Sequence, residues 1–501
     1  MKRYVDMNDI VLSVRWAVLG VFLLAVSACV TAPDVTTHVE NVAATSEWEQ
    51  ISAQGSNRSV FADVDKPVVV RWWKTFNDPV LDELVEAALS QNLDIRKAQA
   101  RLREARSVTR QIRSVLWPSV NASGSYTWTE QSVNSPNGPS SLIQAGFLDR
   151  ELEFWGADLT AQWDVDLFGS NRFGAVSAQA RSEASEAAFH GVRLATIAQV
   201  ASGYAEFNGI NRRLNIVQDN VAIQSSSLDV LKKLYAIGLE NRLNVDRAAG
   251  QLAANRASVP GLFAQRKQAL YKLALLTDMD VGDVEDEMEA AAALDAERVI
   301  PAIGVKSELL TRRPDVAAAQ FQLYSASADV GQAKADLMPK LVIGATSGFG
   351  SGSVSNLFEE ASRALAFAPN ISVPVFNRGR LKAAREAAKA RFDYALAHFE
   401  QTVTAAFIDT ETRLLNLNAA RDSAVLLNEA ASNNRAAADR AQKLYDRGLL
   451  TYIELLDARR QQLRAEDAAV QGATGLELAL VQLYVSLGGG WQLDETGTAA
   501  R

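Results

Sequence analysis

The chain has 501 residues, of which 48% are hydrophobic and 22% charged, with a formal net charge of −8. That apolar fraction excludes a disordered chain and can supply a large core. The modest acidic balance, with no run of Lys or Arg, argues against binding to nucleic acid.

At the N-terminus Lys2, Arg3 and Arg15 precede an apolar run at 16–28, WAVLGVFLLAVSA. The run is short for a membrane span of about 20 residues and has the proportions of a signal-peptide core, so 1–28 is expected to be removed. Cys29 follows it and is the one cysteine in the sequence, so it has no intramolecular disulfide partner. Val26, Ser27, Ala28 and Cys29 resemble the bacterial lipobox. That resemblance implies a covalent lipid on Cys29, and Val30 after it, in place of Asp, points to sorting to the outer membrane.

The remainder is written twice. KLYAIGL at 233–239 recurs as KLYDRGL at 443–449, five of seven positions being identical. NLDIRKAQ at 92–99 matches RPDVAAAQ at 313–320, Trp117-Pro118 matches Met338-Pro339, and DLFGSNR at 166–172 matches PVFNRGR at 374–380. The order of blocks is kept while their spacing changes, as expected of a duplication with altered loops. A linker at 29–75 therefore leads into a first repeat at 76–276. An acidic segment at 277–306, a second repeat at 307–487 and a tail at 488–501 follow. Each repeat reads as helix, strand, loop, strand, long helix, turn, helix.

The strands are expected at about 118–129 and 156–168, then about 340–350 and 366–376. In SVNASGSYTWT, Val120, Ala122, Gly124, Tyr126 and Trp128 alternate with Ser, Asn and Thr, the period of a two-faced strand. Ala157 to Leu167 alternates likewise with Asp158, Thr160, Gln162, Asp164 and Asp166. The intervening stretch, 130–150, is rich in Ser, Asn, Pro and Gly and reads as a loop. In the second pair Leu341, Ile343, Ala345 and Phe349 share a face, a Gly/Ser loop (GFGSGSVSN) intervenes, and Phe367, Ile371, Val373 and Val375 share a face. Pro369 and Pro374 remove ladder donors there, which suits an edge strand.

After each strand pair comes a helical run of more than sixty residues, 173–236 and 381–447. At about 1.5 Å per residue such a helix reaches roughly 95–100 Å. Gly191, Gly203 and Gly209 are potential breaks in the first run. The many alanines raise helix propensity and let long helices pack closely.

The strand faces suit a membrane better than a soluble core. Aromatic residues near strand ends (Tyr126, Trp128, Trp163, Phe349 and Phe367) fit interfacial girdles on a lipid-facing side, and the strand lengths fit tilted transmembrane strands. The opposite faces are hydroxyl- and amide-rich and carry aspartates that are costly to bury unpaired. Four strands cannot close a barrel, and open edges cannot sit in lipid, so strands that cross a membrane must be shared between chains.

Catalysis has little support. The three histidines, His38, His190 and His398, are far apart, and no metal-ligand cluster or nucleophile–base arrangement stands out. GFGSGS lacks the third spaced glycine of a nucleotide loop, because Ser353 stands at that place, and is read as a surface loop. No cofactor is expected beyond the lipid.

WWKTFNDPVLDELVEAAL at 72–89, LLTRRPDV at 309–316, the strand pairs, VPVFNRGR and GLLTYIELLDARR at 448–460 together resemble the TolC-type outer-membrane factor family, in its lipoprotein branch serving resistance-nodulation-division efflux. The resemblance spans essentially the whole mature chain. It implies a homotrimer with a mainly α fold and a membrane β part: a twelve-stranded barrel continued by a twelve-helix periplasmic tunnel, with an equatorial belt built from segments outside the repeats. It implies an exit duct from a periplasmic adaptor and an inner-membrane pump to the exterior. The turns near 236–243 and 446–453 would be periplasmic tips. Gly238 and Gly448 would cap them, and Leu239, Asp246, Arg247, Arg447 and Leu449 would lie at the adaptor contact. Ile453 and Asp457 match the family's apolar and acidic gate positions, although Asp457 is also within reach of Arg459 and Arg460. The alternatives are a duct for type I protein secretion and a non-conducting trimeric structural lipoprotein.

Overall fold

The computed structural model describes residues 30–36, 71–134, 142–143, 145–147, 149–291 and 312–489. The expected signal peptide, Cys29, most of the expected linker, the acidic segment from 292 onward and the tail from 490 onward lie outside them. The chain divides into two compact units, one holding residues 1–38, 103–183 and 321–397 and the other holding the rest.

Its elements, in chain order, are α1 (Pro79–Gln91), α2 (Leu93–Ser114), β1 (Ser119–Glu130), β2 (Glu151–Asp164), α3 (Ser170–Ala236), α4 (Arg242–Thr277), α5 (Val281–Ala291), α6 (Pro314–Ala335), β3 (Lys340–Ser351), β4 (Arg363–Ser372), α7 (Arg380–Asp446) and α8 (Tyr452–Ser486).

The first unit is built on one antiparallel sheet in the order β1-β2-β3-β4, with β1 and β4 as its edges. The β2–β3 pairing joins the two repeats, Ala161 standing opposite Ala345. The bounds of β2 and β4 differ from the sequence expectation, and part of a stretch read as loop proves to be strand. β2 begins at Glu151, ahead of the alternating run, and stops at Asp164; Asp166 then turns left-handed (φ 50°) and its carboxylate accepts from the backbone N–H groups of Asn171 and Arg172, starting α3. β3 runs on through Gly348, Phe349 and Gly350, so the first half of GFGSGS is strand and not loop. β4 ends at Ser372, because Pro374 has no N–H to donate and restricts Val373 before it; Val373 and Val375 therefore lie outside the strand.

Residues 30–36 lie against this unit. Val35 is buried, the Pro33 carbonyl accepts from Ser327 Oγ at 2.8 Å, and the Thr31 carbonyl accepts from Lys334 Nζ at 3.0 Å. Thr109 ties α2 to α3 by donating to the Ala178 carbonyl at 2.9 Å.

The second unit has its main core where α1, α3, α4, α5, α7 and α8 meet, around Trp72, Leu84, Ile197, Phe207, Leu273, Met288, Leu414 and Tyr484. Trp72 stacks on Tyr484, with ring centroids 4.9 Å apart and planes at 15°. Asp78 caps α1 by accepting from the N–H groups of Val80 and Leu81, and Pro79 follows at the first helical position, where its missing N–H costs nothing. Tyr204 donates to the other Asp78 oxygen. Asn92 accepts from the N–H groups of Asp94 and Ile95, and its amide donates to the Leu276 carbonyl at 2.8 Å. Arg313, in the RRPDV stretch, is largely buried. It donates to Asp409 at 3.1 Å, to the Ser486 carbonyl at 3.0 Å and to Asp315 at 2.8 Å, binding the start of α6 to α7 and α8.

α3 and α7 are unbroken helices of 67 residues each. Gly203 and Gly209 do not interrupt α3. They sit at close helix approaches, where an added methyl group would stand 3.1 Å from Leu273 Cδ2 and 3.0 Å from Thr474 Cγ2, respectively. α8 is long and apolar enough to cross a membrane by length and composition. Its Asp467 and Glu466, however, pair with Arg213 of α3 and Arg435 of α7 at 2.6 and 2.8 Å, which makes it a helix of the bundle.

Candidate pore surface and helix tips

The ladder fixes which side chains share a face. Val120, Ala161, Ala345 and Phe367 form one rung across all four strands; Asn121, Thr160, Thr346 and Ala366 form the next, on the opposite face. Because side chains alternate, Tyr126, Trp128, Trp163, Phe349 and Phe367 all fall on the first face. Tyr126, Trp128, Trp163 and Phe367 are exposed there. Tyr126 packs on Trp155 (4.4 Å between centroids), Phe349 meets Phe358 edge to face, and Trp163 Nε1 donates to the Leu116 carbonyl at 3.1 Å. The apolar face ends at a charged rim, where Glu130 pairs with Arg150 at 2.8 Å. The other face carries Ser119, Asn121, Ser123, Thr160, Gln162 and Asp158, a surface that suits water.

Sequence reasoning missed two residues on that polar face, Leu152 and Phe154, which stand opposite Thr129 and Thr127. The signal was an inversion of the alternation before Trp155: Glu151 and Glu153 occupy the apolar side, and Leu152 and Phe154 the polar one.

In the second unit the two long hairpins turn by the same device. The N–H of Gly238 donates to the Tyr235 carbonyl at 3.0 Å and that of Leu239 to Leu234 at 2.9 Å; Gly448 and Leu449 repeat this with Tyr445 and Leu444 at 2.8 and 2.9 Å. This is the Schellman ending, which needs a left-handed residue, and the two glycines have φ of 77° and 73°. The return helices are capped at once. Asn241 accepts from the N–H of Asn244, and Thr451 and Glu454 form a reciprocal capping box. Glu454 is held below its ordinary value by the bonds it accepts from the Thr451 hydroxyl and N–H.

Leu228, Leu231, Val245, Ala248, Leu252, Ala441, Tyr452 and Leu455 bind both hairpins into one cluster. Above it the buried Asn255 amide donates to the buried Asn220 and Gln224 and accepts from the half-buried Gln251, which fixes helix register. Tyr452 packs edge to face on Tyr445 at 5.8 Å, and burial, then Tyr445 and Glu240, push its phenol up to about 12. Leu239, Leu449 and Ile453 are exposed, together with Ile237 and Leu243. Arg247 and Arg447 are exposed as well. Asp246 pairs with Arg242 at 3.0 Å, whose guanidinium lies over Tyr235. Asp457 is exposed and pairs with Arg460 at 2.7 Å, one turn on. Ile453 and Asp457 are four residues apart on one face of α8.

A sheet with one apolar and one polar face and two edges, carried on long paired helices, defines the protomer of an oligomeric membrane channel. The family model of outer membrane efflux proteins matches residues 84–277 and 305–489, and the chain belongs to that family. It is 31% identical over 424 residues to the pyoverdine export outer membrane protein OpmQ of Pseudomonas putida, covering 85% of this chain and 89% of the relative. It is 29% identical over 475 residues to the outer membrane protein OprJ of Pseudomonas aeruginosa, covering 93% and 94%. The solved outer-membrane channel OprN superposes with a TM-score of 0.81 at 33% identity, covering 92% of this chain and all of that one. The fold is therefore that of an internally duplicated, mainly helical protomer whose four strands form one third of a twelve-stranded barrel, continued by a twelve-helix barrel. The protein is the outer-membrane component of an efflux pump.

Proposed function

We propose that the chain is a passive exit duct, lipid-anchored and homotrimeric, that makes no chemical change. A periplasmic adaptor would dock at the helix tips, and an inner-membrane resistance-nodulation-division pump would drive cargo through it. The observation that carries this reading is the two-faced sheet: its apolar side suits lipid, its hydroxyl and amide side suits a water-filled lumen, and both its edges need a neighbouring protomer. The exposed apolar residues at Gly238-Leu239 and Gly448-Leu449 suit a partner that caps the tips. Three Asp457 carboxylates around an axis would favour cations, and three Ile453 side chains could dewet a constriction.

The lipid anchor draws support from residues 30–36. Thr31, two residues after Cys29, is held by Lys334 in the last turn of α6, shortly before β3 begins at Lys340. Cys29→Ser is expected to abolish incorporation of labelled palmitate, and normal labelling of that variant would refute the anchor. The duct itself is tested in the host: deleting the gene should raise intracellular accumulation of pump substrates, with restoration by the wild-type chain. Unchanged accumulation of every compound tested, in a strain relying on this component alone, would contradict it.

A further inference from the structure

One aromatic side chain stands on the polar wall of the sheet without a role in the duct. Phe154 falls on the same face as Ser123, Thr127 and Thr160, and its side chain is half-exposed. Its ring rests on two glycines that are paired directly across β2 and β3, Gly156 and Gly350. A methyl group at 350 would stand 3.0 Å from the ring Cζ and 3.2 Å from Cε2, and one at 156 would stand 3.4 Å from Cε1. Two rungs deeper, on the same face, Asp158 lies across Gly348 in the same manner, and its Oδ2 would be 3.5 Å from a methyl group at 156. Ring and carboxylate thus converge over Gly156, and Gly156 and Gly348 are buried beneath them. Two glycines of GFGSGS, Gly348 and Gly350, are explained by this seat: side chains there would lift Asp158 and Phe154 off the wall.

We infer that Phe154 and Asp158 form a paired aromatic and anionic step in the exit lumen that holds aromatic cations in transit. The half-exposed ring, set edge-on against Gly350, offers π surface to the lumen, and a neighbouring carboxylate adds charge complementarity for a cation on the same wall. Such a contact is weak at a wet site, which suits conduction, since cargo must leave as readily as it binds. The inference rests on the exit-duct reading, which assigns this face to the lumen.

The test is block of single-channel current by ethidium, with the full-length protein in a planar bilayer, each variant normalised to its own open current. The wild type should show concentration-dependent block. Phe154→Ser and Asp158→Asn should each weaken it roughly fivefold, the scale of one exposed cation–π contact for the ring and of one exposed ion pair for the carboxylate. Gly350→Val, which pushes the ring off its seat, should lower unit conductance. Block that is equal in the wild type and both lumen variants would overturn the step while leaving the duct standing. A wild type that inserts and passes no current would overturn the duct and the step together.

Discussion

At Gly238 and Gly448 the backbone enters the left-handed region in order to reverse a long helix, and a side chain there meets its own carbonyl. Gly238→Val and Gly448→Val are each expected to cost about 1–2 kcal/mol, read as a lower thermal midpoint of the purified protein; midpoints equal to that of the wild type would contradict the assignment. Both glycines were legible because KLYAIGL and KLYDRGL repeat a helix ending. The partner of Asp457 was not, since Arg459 and Arg460 both lie within three residues of it; the turn of α8 selects Arg460. Phe154 was missed because a phenylalanine four residues after a loop carries no parity of its own until the register with β1 is known.

At the scale of elements, the best-defined joint is Arg313. Burial works against its charge, and the carboxylates of Asp315 and Asp409 outweigh it and raise its basicity further. Burial likewise pushes the Asp315 carboxyl up, but the Arg313 bond and charge win and hold it below its ordinary value. Its folded value lies below its unfolded one, so the stability it confers is present at neutral pH and lost as the pH falls below about 3.9. Arg313→Met, which leaves the Ser486 carbonyl without this donor and Asp409 with only Arg413, is expected to cost about 1–3 kcal/mol at pH 7. The gap in thermal midpoint between variant and wild type should narrow on acidification, and a gap that is constant with pH would contradict the ion-pair account.

Helix packing gives a second expectation at this scale. Gly209→Leu should cost about 1–3 kcal/mol through collision with Thr474, with partial recovery in the double variant carrying Thr474→Ala. No recovery would place the cost elsewhere. The glycines of α3 look like breaks in the sequence because propensity treats each residue alone. Across the bundle they are the positions where Leu273 and Thr474 come closest, so packing overrides propensity. The ends of β2 and β4 were misplaced for a related reason. Alternation marks where a face begins to matter, whereas hydrogen bonding continues to Glu151 at one end and is stopped by Pro374 at the other.

For the whole molecule, the duplication, the strand faces and the long helices were readable, because each is a periodic pattern over many residues. The β2–β3 pairing that joins the repeats was not, since nothing in either repeat alone fixes its register with the other. The apolar face, the polar face and the two edges together require several copies around a lumen, and the gate proposed above assigns control of current to Asp457, which is exposed on α8. The central claim is tested by conductance across a planar lipid bilayer, with the purified wild type and Asp457→Ala measured side by side. Small cation-preferring steps that grow in the variant are the predicted result. Silence from both, with insertion demonstrated, would contradict the account.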